Sequence, residues 1–147
     1  MSKKIILDCD PGHDDAVAIM LAAASNDIEI LGITCVGGNS TLENTKLNTL
    51  KICTLIERTD IKIFAGSDKP IKYDLVTASH VHGKSGLDKG GNPIIVNPSY
   101  KIEEESAVDF IINECHANKD PIYLCPTGPL TNIALSLKKD PSIKKKN

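Results

Sequence analysis

The chain has 147 residues, of which 41% are hydrophobic and 24% are charged, and its formal net charge is −2. This composition is typical of globular proteins and predicts one domain over residues 1–147 with a sizeable core. Acidic residues prevail outside the lysine-rich last ten positions, no apolar run approaches the roughly 18 residues of a membrane span, and the five cysteines form no CxxC pair. We therefore expect a cytoplasmic protein with reduced thiols and without nucleic-acid or membrane partners.

Apolar runs alternate with amphipathic segments along the whole chain. Continuous apolar runs predict four strands, at residues 3–9, 28–37, 62–65 and 122–125. Helices are predicted between them, at residues 14–25, from the Ser40–Glu43 capping box to about residue 58, at residues 103–118, and from Pro129 onward. The first helix is apolar on nearly all sides, which predicts that it is covered on both faces. Residues 66–101 contain four glycines after Gly66 and three prolines, and they predict long loops of the functional kind.

This order of elements predicts an α/β fold. Continuous apolar strands that alternate with helices indicate an open, mainly parallel, Rossmann-like sheet with helices on both faces. Ligands of such sheets bind beyond the carboxyl ends of the strands. Polar residues fall at those ends, with Asp8 and Asp10 at the first strand, Asn39 after the second and Thr127 after the fourth. The sequence therefore predicts a site at this edge of the sheet.

Four carboxylates lie within eight residues at the turn after the first strand, at Asp8, Asp10, Asp14 and Asp15. Like charges this close repel one another unless a cation or hydrogen bonds compensate them. Hard oxygen ligands suit calcium or magnesium rather than zinc. The alternative is that Asp14 only caps the following helix and that the other carboxylates are solvated.

Three other motifs compete for this region. An EF-hand loop that begins at Asp8 requires Gly and Glu where the chain has His13 and Ile19. Residues 78–85 fit a relaxed phosphate-loop pattern, but no strand precedes them and no helix follows. A phosphatase of the haloacid-dehalogenase type also begins with Asp-x-Asp and would use Asp8 as its nucleophile, although Gly12 departs from its usual Thr or Val. The first two are excluded, and the phosphatase stays open as a third reading.

The acidic cluster resembles the N-terminal DxDxxxDD signature of the inosine-uridine-preferring nucleoside hydrolases. The resemblance continues in the same order through Val-Gly-Gly-Asn at residues 36–39, His-Gly-Lys-Ser-Gly-Leu at residues 82–87 and Thr-Gly-Pro-Leu-Thr-Asn at residues 127–132. It covers essentially the whole chain. Members of this family are considerably longer, so the chain resembles their N-terminal half and is expected to be a truncated, frameshifted or partial member.

The resemblance implies hydrolysis of the N-glycosidic bond of ribonucleosides to free base and ribose. It implies a bound Ca²⁺ held by the carboxylates of Asp10 and Asp15 and by the backbone carbonyl of Thr127. Asp10 would also be the general base that takes a proton from the attacking water. The family commonly forms homo-oligomers, so the same is expected here.

The remaining roles also follow from the resemblance. Asp14 and Asn39 would bind ribose hydroxyls, His82 would contact the nucleobase, and Asp8 would support the ligands from behind. A second reading, of a different class, is a non-catalytic remnant that binds calcium or ribose or only packs with a partner, because the family's later Asp and His residues have no counterpart here.

Overall fold

The structure of the protein is a computed structural model that describes residues 2–89, 92–93 and 96–145. Its strands are β1 (Lys3–Cys9), β2 (Ile28–Cys35), β3 (Ile63–Ala65), β4 (Asp88–Lys89), β5 (Asn92–Pro93), β6 (Glu103–Ser106) and β7 (Tyr123–Pro126). Its helices are α1 (His13–Ala24), α2 (Leu42–Leu55), α3 (Ser79–His82), α4 (Ala107–Ala117) and α5 (Thr131–Lys139), followed by a 3₁₀ helix (Pro141–Lys145). The predicted alternation of strands and helices is confirmed.

Five strands form a parallel sheet in the order β6-β3-β2-β1-β7. The chain runs outward from β1 through β2 and β3 to β6, and then returns to place β7 on the other side of β1. The connections that follow β1 and precede β7 therefore lead in opposite directions from the centre of the sheet. Such a switch point leaves a crevice beyond the carboxyl ends of the two strands, which is where ligands of open α/β sheets bind.

Helices cover both faces of the sheet, as the sequence predicted. Alternate residues of β1 supply the two layers: Ile5 and Leu7 pack in the cluster with α1 and α2, whereas Ile6 packs with Phe110 and Ile111 of α4. Helix α5 lies against α4. Each fully buried side chain of this size stabilises the fold by about 1.5–3 kcal/mol relative to its exposed state. The two layers hold β1 and the turn that follows it.

The predicted helix at residues 103–118 begins four residues late. Residues 103–106 form instead the edge strand β6, in which Glu103 pairs with Phe64 of β3 and Ser106 pairs with Ala65. Ser106 then caps α4, because its side-chain oxygen accepts a hydrogen bond of 3.1 Å from the backbone N–H of Asp109. The free edge of β3 offers backbone hydrogen bonds that a sequence pattern does not reveal, so the local prediction of a helix was wrong there.

Helix α1 is not covered on both sides. Its residues Ile19 and Ala22 face the sheet, but Val17 and Leu21 are 55% and 68% exposed. The prediction of a helix between two layers was therefore wrong for the part of the chain that the structure describes. The apolar pattern identified a helix correctly, but it did not determine how many faces of that helix have a partner.

Two other helices begin later than predicted. Thr41, not Ser40, is the N-cap of α2, and its hydroxyl accepts a hydrogen bond of 3.4 Å from the backbone N–H of Asn44. Helix α5 begins at Thr131, two residues after Pro129. Both differences are within the usual uncertainty of helix ends.

The predicted long loops at residues 66–101 contain the short helix α3 and the two-stranded hairpin of β4 and β5. Residues 90–91 and 94–95 of this segment lie outside the described residues. No disulfide joins the five cysteines, all of which lie in the described part of the chain. Among the described helices, none is long and apolar enough to cross a membrane.

Candidate active site

The acidic turn connects β1 to α1 at the switch point of the sheet. Asp8 lies in β1, Asp10 follows the strand directly, and Asp15 lies in the first turn of α1; all three are buried. Asp14 is exposed on the same turn of the helix. Gly12 is the N-cap residue, and no side chain caps the helix, so the alternative role of Asp14 as a cap is not observed. The positive end of the helix dipole faces the carboxylates of this first turn.

Hydrogen bonds fix the Asp10 carboxylate at the carboxyl edge of β1. The backbone N–H of Asn39 donates to Asp10 Oδ2 at 2.6 Å, and the Asn39 side-chain amide donates to the Asp10 carbonyl at 3.2 Å. The backbone N–H of Asp10 in turn donates to Asp15 Oδ2 at 3.1 Å. Asn39, which sequence analysis assigned to ribose, therefore also holds the acidic turn in place.

Two glycines form a cradle for the same carboxylate. A Cβ atom at Gly38 would lie 2.1 Å from Asp10 Oδ2, and one at Gly128 would lie 2.7 Å from Asp10 Oδ1. Real Cβ atoms do not approach other atoms this closely, so only glycine leaves space for the carboxylate at these two positions. Both glycines belong to the motifs that sequence analysis quoted, but their contact with Asp10 was not predicted.

Burial makes the charged forms of these carboxylates unfavourable. It raises the pKa of Asp10 to about 6, with a further contribution from the charge of Asp15, and the hydrogen bond from Asn39 only partly offsets this. Burial also raises the pKa of Asp8 and of Asp15. The ion pairs found among the described residues involve other acidic side chains, at Glu43, Asp60, Asp109 and Asp140. The site therefore combines closely spaced carboxylates with no ion-pair partner in the described part of the chain.

Asp8 lies behind the site and is fully buried. Its Oδ1 accepts hydrogen bonds from the Thr34 hydroxyl at 2.6 Å and from the Asn132 side-chain amide at 2.8 Å. Its Oδ2 has no hydrogen-bond partner within the described residues. A nucleophile must reach its substrate, and a carboxylate enclosed in this way does not, so the geometry disfavours the phosphatase reading.

Asn132 is a site residue to which sequence analysis gave no role. Besides Asp8, its amide donates to the Cys35 carbonyl at 3.1 Å, and its Oδ1 accepts from the backbone N–H of Ser67 at 2.8 Å. A Cβ atom at Gly66 would lie 2.2 Å from Asn132 Oδ1, so this side chain fills the space beside a glycine. Asn132 thus joins the ends of three strands. The signal in the sequence was a polar residue within the Thr-Gly-Pro-Leu-Thr-Asn motif.

Thr127 lies directly across the crevice from the acidic turn. Its backbone N–H donates to the Asp8 carbonyl at 2.9 Å. Its side chain also hydrogen-bonds to Asp15, which lowers the pKa of that carboxyl and partly opposes the effect of burial. Sequence analysis assigned a role only to the Thr127 carbonyl, so the contact of the hydroxyl is an addition.

His82 reaches the acidic turn from the end of α3. Its ring packs over Gly12, and the backbone N–H of His13 lies 3.4 Å from His82 Nδ1. Asn48 of α2 fastens the following loop, because its amide donates to the Pro11 carbonyl at 3.1 Å and to the Ser85 carbonyl at 2.8 Å. The structure therefore brings every predicted site residue to one edge of the sheet: Asp8, Asp10, Asp14, Asp15, Asn39, His82 and Thr127.

The residues assigned to the cation carry oxygen donors of the kind that a hard cation takes. Asp10 and Asp15 have carboxylate oxygens, and Thr127, directly after β7, has a backbone carbonyl. Within the described residues, no three His, Cys, Asp or Glu side chains are grouped closely enough to hold a metal ion by themselves. Ca²⁺ takes six to eight oxygen ligands, so these three residues alone would not complete a calcium site.

The fold and the site define an open, parallel α/β protein with a carboxylate-lined crevice at the switch point of its sheet. Residues 5–147 match the family described as inosine-uridine preferring nucleoside hydrolase. The chain belongs to this family, as the DxDxxxDD signature predicted.

Ribonucleoside hydrolases with similar sequences support this assignment. The chain is 46% identical over 137 residues to the pyrimidine-specific ribonucleoside hydrolase RihA of Shewanella oneidensis. The alignment covers 93% of this chain and 42% of that protein. It is 42% identical over 146 residues to RihA of Escherichia coli, with 99% and 46% covered. The chain thus spans about half the length of the curated relatives it matches.

Solved structures show the same fold. A purine-preferring ribonucleoside hydrolase from Gardnerella vaginalis superimposes with a TM-score of 0.90 at 38% identity, over 98% of this chain and 46% of that one. A plant nucleoside hydrolase superimposes with a TM-score of 0.91 at 32% identity, over 99% and 46%. The predicted α/β architecture is therefore confirmed.

Proposed function

We propose that the protein hydrolyses the N-glycosidic bond of ribonucleosides with the assistance of calcium. The observation that carries the proposal is the Asp10 carboxylate, which is seated between Gly38 and Gly128 and fixed by Asn39 at the switch point. A general base acts best when its pKa lies near the working pH. Burial raises the pKa of Asp10 to about 6, which suits this task at neutral pH.

In the proposed reaction, Asp10 accepts a proton from the attacking water. The water oxygen bonds to C1′ of the ribose while the C1′–N bond breaks. The electron pair of the C1′–N bond goes to the nucleobase, which takes up a proton from solvent. The developing sugar cation is stabilised by the negative charge of the acidic turn. Exposed Asp14 and half-buried Asn39 are the groups proposed to bind the ribose hydroxyls.

Calcium is proposed at the carboxylates of Asp10 and Asp15 and at the carbonyl of Thr127. When bound, it would lower the pKa of a coordinated water and orient the ribose diol. Its charge would also offset the repulsion between the two buried carboxylates. Asp8 would act from behind, through the buried hydrogen bonds that it shares with Thr34 and Asn132.

The relatives differ in base preference, since the RihA proteins are named pyrimidine-specific and the Gardnerella protein purine-preferring. Ribonucleosides are therefore proposed as the substrate class, and uridine and inosine are both test substrates. Assembly into a homo-oligomer remains a prediction.

The test is the release of free ribose from uridine and inosine in the presence of Ca²⁺. Asp10→Asn should abolish release, and Asp8→Asn, which preserves the shape of a buried side chain, should have a milder effect. Glu43→Gln, which changes an exposed carboxylate outside the acidic turn, is the control and should match the unmodified protein. Ribose release that survives Asp10→Asn would refute Asp10 as the base, and release of phosphate from a phosphate ester that depends on Asp8 would establish the phosphatase reading instead.

A non-catalytic role gives a separate result. If calcium raises the melting temperature in an Asp10-dependent way but neither nucleoside is cleaved, the protein binds the cation without catalysing hydrolysis. That outcome would refute the enzymatic part of the proposal and leave the metal assignment intact.

A further inference from the structure

Two histidine rings meet at the rim of the acidic turn. His13 is the first residue of α1 and His82 is the last residue of α3, and their Nδ1 atoms lie 3.2 Å apart. The ring centroids are separated by 5.4 Å and the ring planes differ by 27°. The backbone N–H of His13 points to the same His82 Nδ1 atom at 3.4 Å. His13 therefore contacts His82 through both its main chain and its side chain.

The His82 ring packs against Gly12. A Cβ atom at Gly12 would lie 2.6 Å from His82 Cε1 and 2.7 Å from His82 Nδ1, so the ring occupies the space that a side chain would need. The amide of Asn48 ties the loop after His82 to the acidic turn through the Pro11 and Ser85 carbonyls. The contact with Gly12 and the anchoring of the following loop by Asn48 thus determine the position of the imidazole.

The contacts favour one placement of the ring protons. A backbone N–H can only donate, so the contact from the His13 backbone favours a His82 ring that accepts at Nδ1 and carries its proton on Nε2. With His82 Nδ1 as the acceptor, the 3.2 Å contact between the two Nδ1 atoms makes His13 the donor, with its own proton on Nδ1.

Resting on the proposed function, we propose that His13 is a positioning residue that holds His82 as an Nε2–H donor toward the nucleobase of a bound ribonucleoside. The base gains electron density as the C1′–N bond breaks, and a fixed N–H donor stabilises that charge better than one that rotates or changes tautomer. The role of His82 here is a hydrogen bond and not a proton transfer, so the balance of the reaction is unchanged.

Nitrogen-15 NMR of the chain with labelled histidines tests the arrangement without any need for activity. Spectra recorded near pH 9 should show His13 protonated at Nδ1 and His82 protonated at Nε2. His80→Ala changes an exposed histidine on the same short helix as His82 and should leave both signals in place. A wild-type spectrum with His13 protonated at Nε2 would overturn the proposal.

Three substitutions of His13 separate the two donors. His13→Asn places an amide N–H where Nδ1–H was and should preserve the His82 tautomer, whereas His13→Ala removes the side-chain donor and should yield a mixture. His13→Pro removes the backbone donor as well, at a first helical position where proline is tolerated, and should yield the largest change. A His82 signal that is the same in the Ala and Pro variants as in wild type would overturn the proposal.

Kinetics distinguish a failure of this inference from a failure of the proposed function. His13→Ala should lower kcat for uridine about tenfold, less than the roughly hundredfold loss typical when a transition-state donor itself is removed, and His13→Asn should restore most of it. Hydrolysis of p-nitrophenyl riboside, whose leaving group needs no donor, should stay within about twofold. An equal loss on both substrates would refute the inference alone, and no hydrolysis of either substrate by the unmodified protein would refute the proposed function.

Discussion

The substitution Asp10→Asn should stabilise the metal-free protein at neutral pH. The pKa of this carboxyl is raised from its ordinary 3.8 to about 6, mainly by burial. A group whose pKa is higher in the folded chain than in the unfolded chain adds stability at low pH, and that stability is lost as the pH rises through about 6. Asparagine carries no charge and retains an oxygen that accepts the hydrogen bond from the Asn39 backbone.

The magnitude follows from the pKa change. The difference between 3.8 and about 6 corresponds to about 3 kcal/mol, at 1.36 kcal/mol for each pKa unit. Charges inside proteins are screened more effectively than burial alone implies, so about 1–1.5 kcal/mol is expected. For a chain of this length, the melting temperature should rise by about 3–5 °C at pH 7.5 and by much less at pH 4.5.

Urea unfolding followed by circular dichroism measures the difference, since the chain has no tryptophan for fluorescence. A chelator must be present, because a bound cation would offset the same repulsion. Asp60→Asn is the control: Arg58 lowers the pKa of the exposed Asp60 carboxyl, so its removal should not stabilise the protein at pH 7.5. An Asp10→Asn variant that is less stable than wild type at pH 7.5, or equally shifted at both pH values, would refute the reasoning.

Three further changes test the same site. Millimolar Ca²⁺ should raise the melting temperature of wild type but not of Asp15→Asn, by the mass-action stabilisation of a bound ligand; an equal rise in both, measured by differential scanning fluorimetry, would remove Asp15 from the ligand set. Gly38→Ala should abolish ribose release, because its Cβ would meet Asp10 Oδ2, and activity above half of wild type would contradict the cradle. Asn132→Ala should lower the free energy of unfolding by about 2–4 kcal/mol, because it removes one of the two hydrogen bonds to the buried Asp8 carboxylate and leaves a cavity; a loss below about 1 kcal/mol in urea unfolding would contradict that role.

The sequence by itself determined the fold class and the place of the site. Strand β1 was predicted with its observed bounds, because the apolar run at residues 5–7 lies between two lysines and the acidic turn. The acidic signature also determined the family. These signals are local, and hydrophobic periodicity and a spaced motif are visible without knowledge of any distant contact.

Only the tertiary structure decided which polar groups serve the site and which elements complete the sheet. Asn132 is separated from Asp8 by 124 positions and from Cys35 by 97, so no local pattern could pair them. Residues 103–106 were predicted as helix from the sequence alone. They form strand β6 because the open edge of β3 offers backbone hydrogen-bond partners. Likewise, the apolar surface of α1 at Leu21 is exposed because no element of the described chain lies over it. Hydrogen bonds and burial depend on which distant residues become neighbours in the folded chain. That information belongs to the whole chain rather than to any one segment.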